Sequence, residues 1–194
     1  MIIAISLIWI RHKVAGGVES FTRNLLDGFI KDESPNSYIL LCSKDNIQSF
    51  SHYEADERFM LYECPVTTSD LKETLLFENF KLDKLVSSLK ADLCFIPCYR
   101  MPLLLWNNNK YVVVIHDLIS CHFPQLFSTS RRHWLTFASK RASRRADMVV
   151  AISNFVRKDI IDRFSVNVDH ICTIYNPILP SREVGPFSPL MGKY

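Results

Sequence analysis

The chain has 194 residues, of which 48% are hydrophobic and 22% are charged, and its formal net charge is +3 at pH 7. These values are typical of an ordinary globular protein, and they exclude disorder or low complexity for most of the length. A net charge this small does not by itself indicate nucleic-acid binding. The length is sufficient for one domain with a complete hydrophobic core.

The first ten residues form an apolar run that predicts a buried strand. The run is about half as long as a membrane-spanning helix, and its basic residues follow it, which argues against a signal peptide. Gly16 and Gly17 come next and open a helical pattern that extends to Phe29. Two adjacent glycines at a strand-to-helix turn predict either a close approach of a ligand to the backbone or only a tight turn. The N-terminus of the following helix suits a phosphate group.

Apolar runs of strand length alternate with helical patterns along the rest of the chain. This alternation predicts an α/β fold, a Rossmann-like doubly wound parallel sheet with helices on both faces. Further strands are expected at residues 37–42, 58–64, 92–96, 111–115, 147–152 and 171–174. Helices are expected near residues 44–50, 70–89 and 130–145, and from the N-cap Ser153 to about residue 164.

The composition changes from Pro177 onwards, where three further prolines and two glycines occur without any periodic pattern. Such a stretch is typical of a linker. We therefore predict a domain at residues 1–178 and a linker at residues 179–194. A linker in this position predicts that a second domain follows and that the chain is a fragment of a longer protein.

Two polar residues follow the β-branched run at 111–115. Ligands of an open parallel sheet bind at the carboxyl ends of the strands, where the strand order reverses, and His116 and Asp117 occupy such an end. His116 can exchange a hydrogen bond or a proton with a ligand hydroxyl, or it can bond only to a neighbouring loop backbone. Asp117 can orient His116, bind a sugar hydroxyl or cap a turn in its own loop.

The loop at residues 97–109 also follows a predicted strand, and it carries Tyr99 and Arg100. An aromatic ring beside a polar group suits carbohydrate binding, whereas packing of the loop on its own apolar residues is the alternative. We include both residues among the candidate ligand contacts. Motifs typical of dinucleotide-binding dehydrogenases, P-loop nucleoside triphosphatases and α/β-hydrolases are absent from the sequence.

A basic segment at residues 131–145 contains six lysines and arginines and no acidic residue. It predicts a solvated helix face. The alternative is a surface that contacts anionic lipid headgroups or a phosphorylated substrate, because Trp134 and Phe137 lie in the same segment. No motif of a nucleic-acid-binding protein accompanies it, so we expect no nucleic-acid partner.

The six cysteines are scattered and form no disulfide pattern, which predicts a reduced, cytoplasmic protein. Cys94 and Cys98, with His116, Cys121 and His122 further along, are conceivable metal ligands. However, the chain has no CxxC pair, and Cys94 belongs to a predicted strand. We therefore expect neither a metal nor a cofactor.

Four motifs carry a family resemblance: GGVE at 16–19, VVVIHDL at 112–118, RAD at 145–147 followed by VVAIS at 149–153, and IYNPI at 174–178. In this order they resemble the N-terminal domain of a GT-B glycosyltransferase of family 4, the retaining group that uses nucleotide sugars. The resemblance implies the N-terminal half of a GT-B fold. It also implies that Gly16, Gly17 and Val18 lie beside the donor diphosphate and the acceptor.

The same resemblance implies that His116 lies beside the transferred sugar and that Asp117 supports it. The segment from His116 to Phe127 is most similar to mannosyltransferase-like members, which makes GDP-mannose the expected donor. The acceptor is expected to be a glycan or a lipid-linked acceptor in polysaccharide biosynthesis. The basic segment is then an expected peripheral contact with the inner face of an anionic membrane.

The resemblance also predicts that the 194 residues alone are inactive. The arginine and lysine that hold the diphosphate in the family, and its paired glutamates, belong to a C-terminal domain, which is expected to lie beyond these 194 residues. Without cations to stabilise the leaving diphosphate, the largest electrostatic contribution to catalysis is missing. The alternative function is a non-catalytic Rossmann-like binding module that acts through a partner.

Overall fold

A computed structural model of the chain describes residues 1–11 and 16–176. Within these residues seven parallel strands form one sheet in the order β3-β2-β1-β4-β5-β6-β7. The strands are β1 (Ile2–Ser6), β2 (Ser37–Ser43), β3 (Phe59–Cys64), β4 (Leu93–Ile96), β5 (Tyr111–Ile115), β6 (Met148–Ala151) and β7 (Ile171–Thr173). The α-helices are α1 (Gly16–Lys31), α2 (Leu71–Phe80), α3 (Leu82–Ser88), α4 (Ile119–His122), α5 (Thr129–Arg145) and α6 (Asn154–Phe164).

Helices cover both faces of this sheet. Successive residues of a strand point to opposite sides, so each strand contributes side chains to a cluster on either face. On one face Leu26 of α1 packs in a cluster with Ile5 of β1 and Leu40 of β2. On the other face Ala4 of β1 belongs to a larger cluster. That cluster takes buried side chains from α2, α3, α5 and α6. The predicted α/β fold, a Rossmann-like doubly wound parallel sheet, is confirmed.

Several predicted elements have the expected positions. Strand β5 has the predicted bounds, and three of its residues are completely buried, as expected for a strand between two layers of helices: Val113, Val114 and Ile115. Ser153 is the N-cap of α6, and its hydroxyl oxygen accepts a hydrogen bond of 3.2 Å from the backbone N–H of Val156. In the second half of the chain, the β-branched run and the N-cap residue therefore locate β5 and the start of α6.

Two helix predictions need correction. The helix expected near residues 44–50 is a 3-10 helix at Ile47–Ala55. The single helix expected at residues 70–89 is two helices, α2 and α3, which meet at Lys81. Apolar spacing cannot reveal this break, because the buried positions keep the same helical period on both sides of it.

Asp83, two residues after Lys81, explains the local arrangement. Its carboxylate accepts hydrogen bonds from the loop that follows β4. The donors in this loop are the backbone N–H groups of Trp106 and Asn107 and the side chains of Asn107 and Asn109. The hydroxyl of Tyr111, the first residue of β5, donates a fifth hydrogen bond. Burial raises the pKa of Asp83, but these hydrogen bonds outweigh it and hold the pKa below its ordinary value. Helix α3 therefore fixes the loop that leads from β4 to β5.

Two sequence predictions concern residues for which no structure is described. The linker at residues 179–194 lies outside the described residues, as does the end of the domain at residue 178. In residues 1–11 and 16–176 no helix is both long enough and apolar enough to cross a bilayer.

Candidate functional site

The strand order reverses between β1 and β4, which are neighbours in the sheet. The chain leaves β1 towards β2 on one side and returns to β4 on the other. The loops that follow the two strands therefore diverge and leave a crevice at the carboxyl end of the sheet, which is where ligands of such folds bind. Strand β5 lies beside β4 and ends at the same edge.

A cavity of about 180 Å³, the switch-point cavity, lies at this crevice. Its lining residues are Trp9, Val18, Cys98, Tyr99, Arg100, His116 and Asp117. Five of the seven predicted site residues thus meet at one place, and the remaining two, Gly16 and Gly17, precede Val18 at the start of α1. Their roles in binding or catalysis stay predictions. The cavity is smaller than the ~300 Å³ of a small ligand pocket, so it fits part of a ligand rather than a whole nucleotide sugar.

His116 lies at the end of β5 and is half-buried. Its Nε2 lies 3.0 Å from the carbonyl oxygen of Pro97. A carbonyl can only accept, so Nε2 carries the proton and Nδ1 of the neutral ring is an acceptor. Burial lowers the pKa of His116, and the hydrogen bond to Pro97 together with the charge of Asp117 offsets only part of this effect. The neutral ring can therefore accept a hydrogen bond from a ligand hydroxyl through Nδ1.

The sequence left open that His116 bonds only to a neighbouring loop backbone, and the structure contains that hydrogen bond, to Pro97. The bond uses Nε2 and fixes the tautomer, and it leaves Nδ1 available to a ligand. The edge of the ring also contacts Phe21 of α1, with centroids 5.1 Å apart and planes at 89°. Phe21 and Pro97 together hold the imidazole at the cavity. These two contacts orient His116, which is one of the roles that the sequence left open for Asp117.

Asp117 is exposed, and its Oδ1 accepts a hydrogen bond of 3.0 Å from the backbone N–H of Ile119. It therefore caps the turn that begins α4, which is one of the roles left open by the sequence. The structure gives no hydrogen bond between Asp117 and His116 within the described residues. Its influence on His116 is electrostatic, since its charge raises the pKa of that ring.

The two glycines differ in conformation. Gly16 has a φ of +58°, a left-handed conformation that side chains with a Cβ rarely adopt. Gly17 has no such constraint, and a Cβ added there would meet no atom of the described residues within 4 Å. Gly16 is thus needed for the turn, whereas the conformation of Gly17 does not require glycine. The backbone N–H groups of that turn have no acceptor within the helix.

Arg100 connects the cavity to the interior of the domain. Its Nε donates to Oε2 of Glu78 over 2.8 Å, and its Nη2 donates to the same oxygen. Glu78 is 2% exposed, and its Oε1 has no hydrogen-bond partner among the described residues. Burial raises the pKa of Glu78 to about 7, although the charge and the hydrogen bonds of Arg100 act in the opposite direction.

Two side chains of the site were not predicted as contacts. Trp9 follows β1, and its indole Nε1 is buried without a hydrogen-bond partner in the part of the chain that the structure describes. Such a donor is normally satisfied by water or by a ligand. Glu78 is the second, and it was overlooked because a helical pattern gives no sign of a buried ion pair. For Trp9 the available indication was an aromatic residue near the end of the apolar run that precedes the glycines.

The predicted absence of a metal is consistent with how the cysteines are placed but is not tested by it. Burial raises the pKa of Cys98 to about 12, so its thiol stays protonated at neutral pH. Cys94 lies in β4 and is completely buried. In residues 1–11 and 16–176 no three His, Cys, Asp or Glu side chains lie close enough to share a metal ion.

A second and larger cavity lies between α2, α5 and the segment at residues 99–103, and we call it the interhelical cavity. Its volume is about 500 Å³. Its lining residues are Leu71, Leu75, Glu78, Asn79, Tyr99, Arg100, Met101, Leu103, Arg131, Trp134, Leu135, Phe137, Ala138 and Arg141. Tyr99 and Arg100 line both cavities and form the wall between them.

The basic segment contributes α5 to this second cavity. Lys140, Arg144 and Arg145 are exposed, as expected for a solvated helix face. Arg141 is not: it is half-buried, and its guanidinium donates to the carbonyl oxygen of Leu103. The structure thus divides the basic segment between solvent and the interhelical cavity.

Comparison with known proteins identifies a family for this chain. The model of Glycosyltransferase Family 4 matches residues 15–182. None of the curated proteins matches the sequence significantly.

Solved structures with the same fold include glycosyltransferases. HepE of Anabaena, solved in complex with UDP-glucose, is 14% identical with a TM-score of 0.56. The lipopolysaccharide outer core galactosyltransferase WaaB is 14% identical with a TM-score of 0.52. The matches cover 92% of this chain in both cases, but only 44% of HepE and 46% of WaaB. The chain thus spans less than half the length of these structures, and identities this low show a shared fold.

Proposed function

This chain belongs to glycosyltransferase family 4, and from that premise we propose that it is the acceptor-side half of a glycosyltransferase that uses a nucleotide-diphosphate sugar. The observation that carries the proposal is the convergence of Val18, Tyr99, Arg100 and His116 on one cavity at the strand switch point. HepE has been solved with UDP and with UDP-glucose, which supports a nucleotide sugar as the class of donor. Among such donors, GDP-mannose is the one we propose, with mannose transferred and its anomeric configuration retained.

Each part of the switch-point cavity has a distinct role in this proposal. The first turn of α1 receives the diphosphate, because the positive end of the helix dipole at Gly16 and Gly17 favours negative charge. His116 accepts a hydrogen bond from a hydroxyl of the transferred sugar through Nδ1. The Nε1 of Trp9 and the guanidinium of Arg100 supply donors for acceptor oxygens.

We propose further that a second domain completes the site. The cavity of about 180 Å³ holds only part of a nucleotide sugar, and the diphosphate needs cations to stabilise the charge that develops on the leaving group. A following domain would supply them, so the 194 residues alone should not transfer sugar. The downstream reading frame tests this directly: a strand followed by Gly-Arg, and later a glutamate-rich segment, is expected, whereas an immediate stop codon contradicts it.

A nucleotide-sugar screen on the complete protein tests the activity. We expect release of nucleoside diphosphate with one donor, tested across GDP-mannose, UDP-glucose and UDP-galactose. His116→Ala should lower the rate about tenfold, because it removes the hydrogen bond that Nδ1 accepts, which is worth about 1 kcal/mol. It should also lower the free energy of unfolding by about 1 kcal/mol, because the contacts with Pro97 and Phe21 are lost. His170→Ala is the matched control, because His170 is exposed and lies outside both cavities.

Two outcomes would contradict the proposal. An unchanged rate in His116→Ala would remove this residue from the site. Absence of turnover with every donor would instead favour a binding module that acts through a partner. Acceptor class and cellular location, expected to be the cytoplasm, are parts of the proposal that the screen does not address.

A further inference from the structure

The interhelical cavity has an apolar side formed by α2 and α5. Leu71 is 57% exposed, Trp134 40% and Phe137 50%, although all three are large apolar side chains. Leu75 and Leu135 continue this surface into the cavity. Clustered exposed apolar side chains mark interaction sites rather than a neutral surface. At about 500 Å³ the cavity also lies within the ~300–1,000 Å³ typical of small-molecule sites.

The interhelical cavity also has a cationic side. Four charged residues line it, and three of them are arginines: Glu78, Arg100, Arg131 and Arg141. Glu78 and Arg100 form an ion pair with each other. Arg131 and Arg141 form no ion pair with any residue that the structure describes, and α5 contains no acidic residue. The cavity therefore has an excess of two positive charges beside its apolar wall.

Arg141 is the residue that most requires a partner. Its Nη2 donates to the carbonyl of Leu103, but its Nη1 is buried and has no hydrogen-bond partner among the described residues. Burial and the nearby charge of Arg145 both lower the pKa of Arg141. An anion bound in the cavity beside this guanidinium would relieve both effects, because charge-assisted hydrogen bonds to a phosphate are strong and suit a guanidinium.

The interhelical cavity adjoins the switch-point cavity through Tyr99 and Arg100. A molecule held between α2 and α5 therefore has its free end at the place where sugar transfer is proposed. This position, the apolar wall and the two guanidinium groups, which have no ion pair among the described residues, together define the chemistry of the molecule. It has an aliphatic part, an anionic group and an end that reaches Arg100.

We propose that the interhelical cavity binds the acceptor, and that the acceptor is an anionic amphiphile, a phosphate or diphosphate ester of a long aliphatic alcohol. The aliphatic part contacts Leu71, Leu75 and Trp134, and the phosphate contacts Arg131 and Arg141. This inference rests on the proposed function only where it assigns the bound molecule the role of acceptor. The binding itself requires no nucleotide sugar.

Titration of the full chain with dodecyl phosphate below its micelle concentration, followed by calorimetry, tests the binding. Dodecyl maltoside has the same chain without an anion, and inorganic phosphate has the anion without a chain. We expect dodecyl phosphate to bind at least tenfold more tightly than either. Equal binding of dodecyl maltoside, or equal binding of inorganic phosphate, overturns the proposal.

Matched variants locate the site. Leu75→Asp places a charge in the apolar wall, and Arg141→Gln removes a guanidinium, so each should weaken binding about tenfold, equivalent to about 1.4 kcal/mol. Leu76→Asp and Arg144→Gln are the controls, since both residues are exposed and lie outside the cavity, and binding should change less than twofold. If Leu75→Asp fails to fold, Ala138→Phe, which fills the cavity without a charge, replaces it with the same expectation.

Anionic vesicles of phosphatidylglycerol and phosphatidylcholine distinguish the cavity from adsorption of α5 to a lipid surface. If Arg141→Gln and Ala138→Phe bind dodecyl phosphate and vesicles as the parent chain does, surface adsorption explains the binding and the proposal is wrong. A failure of amphiphile binding can also be distinguished from a failure of the proposed function. Sugar transfer by the complete protein to a soluble acceptor would persist without amphiphile binding, and amphiphile binding would persist without transfer.

Discussion

The two cavities at the carboxyl edge of the sheet differ in what creates them. The switch-point cavity follows from the strand order, because the loops after β1 and β4 must diverge. The interhelical cavity follows from the side chains that α2 and α5 present to each other. Topology thus specifies a site of about 180 Å³ that His116 and Asp117 line, whereas the side chains of two helices add an amphipathic site of about 500 Å³. Tyr99 and Arg100 line both cavities. The shape of each cavity therefore depends on the ion pair that holds Arg100 to Glu78.

Replacement of Arg100 should have the largest effect, because it damages both cavities. Arg100→Met keeps the aliphatic stem but leaves the carboxyl of Glu78 buried without a partner. We expect a loss of about 3 kcal/mol in the free energy of unfolding, measured by urea denaturation at pH 8. Arg144→Met, at an exposed position without an ion pair in the described part of the chain, should cost less than about 0.5 kcal/mol. Similar losses in the two variants would show that the wall between the cavities is not held by this ion pair.

The pH dependence of stability should be the next largest effect. The folded pKa of Glu78, about 7, is raised above the ordinary value of 4.5, so the folded protein binds the proton more tightly than the unfolded chain. The resulting stability is complete below about pH 4.5 and is lost as the pH rises through 7, with a slope of at most about 1.4 kcal/mol per pH unit. Glu78→Gln should remove this fall, measured as the difference between the two unfolding curves from pH 5 to 7.

Exposed Glu57 provides the control for that measurement. Glu57→Gln removes one carboxylate from the surface, and it should change the free energy of unfolding by less than about 0.5 kcal/mol, because Glu57 is exposed. Parallel curves for the parent chain and Glu78→Gln would show that the carboxyl titrates as an ordinary surface group.

The smallest of the three effects separates the two glycines at the entrance to the switch-point cavity. Gly16→Ala should lower the free energy of unfolding by about 1 kcal/mol, because a Cβ is strained at a φ of +58°. Gly17→Ala should leave stability unchanged within about 0.5 kcal/mol. In the complete protein, however, Gly17→Ala should weaken binding of the nucleotide sugar. Equal losses of stability in both variants would show that Gly17 also has a conformational role.

The sequence predicts the part of the site that depends on topology. The β-branched run at residues 111–115 locates β5 and therefore His116, and an apolar run followed by glycines locates β1 and α1. The division of residues 70–89 into α2 and α3 could not be predicted, since the helical period continues across Lys81. Neither could the pairing of Glu78 with Arg100, because these residues are 22 positions apart and meet only when α2 packs beside the loop after β4.

The basic segment shows the same limit within one helix. The sequence favoured a uniform solvated face, and Arg144 fits it. Arg141, three residues earlier, faces a cavity that exists only because Leu103 and α2 lie opposite. Which arginine of a basic helix is buried depends on its neighbours in space, and spacing along the chain does not contain that information.

The five hydrogen bonds that Asp83 accepts have a consequence for ligand binding. They fix the far end of the loop that carries Tyr99 and Arg100, and Asn79 holds its middle through the backbone N–H groups of Leu103 and Leu104. The loop is therefore ordered before any ligand arrives, and the entropy lost in ordering it is part of folding rather than of binding. Substitution of Asp83, a residue that touches neither cavity, should weaken ligand affinity by returning that entropic cost to the binding step.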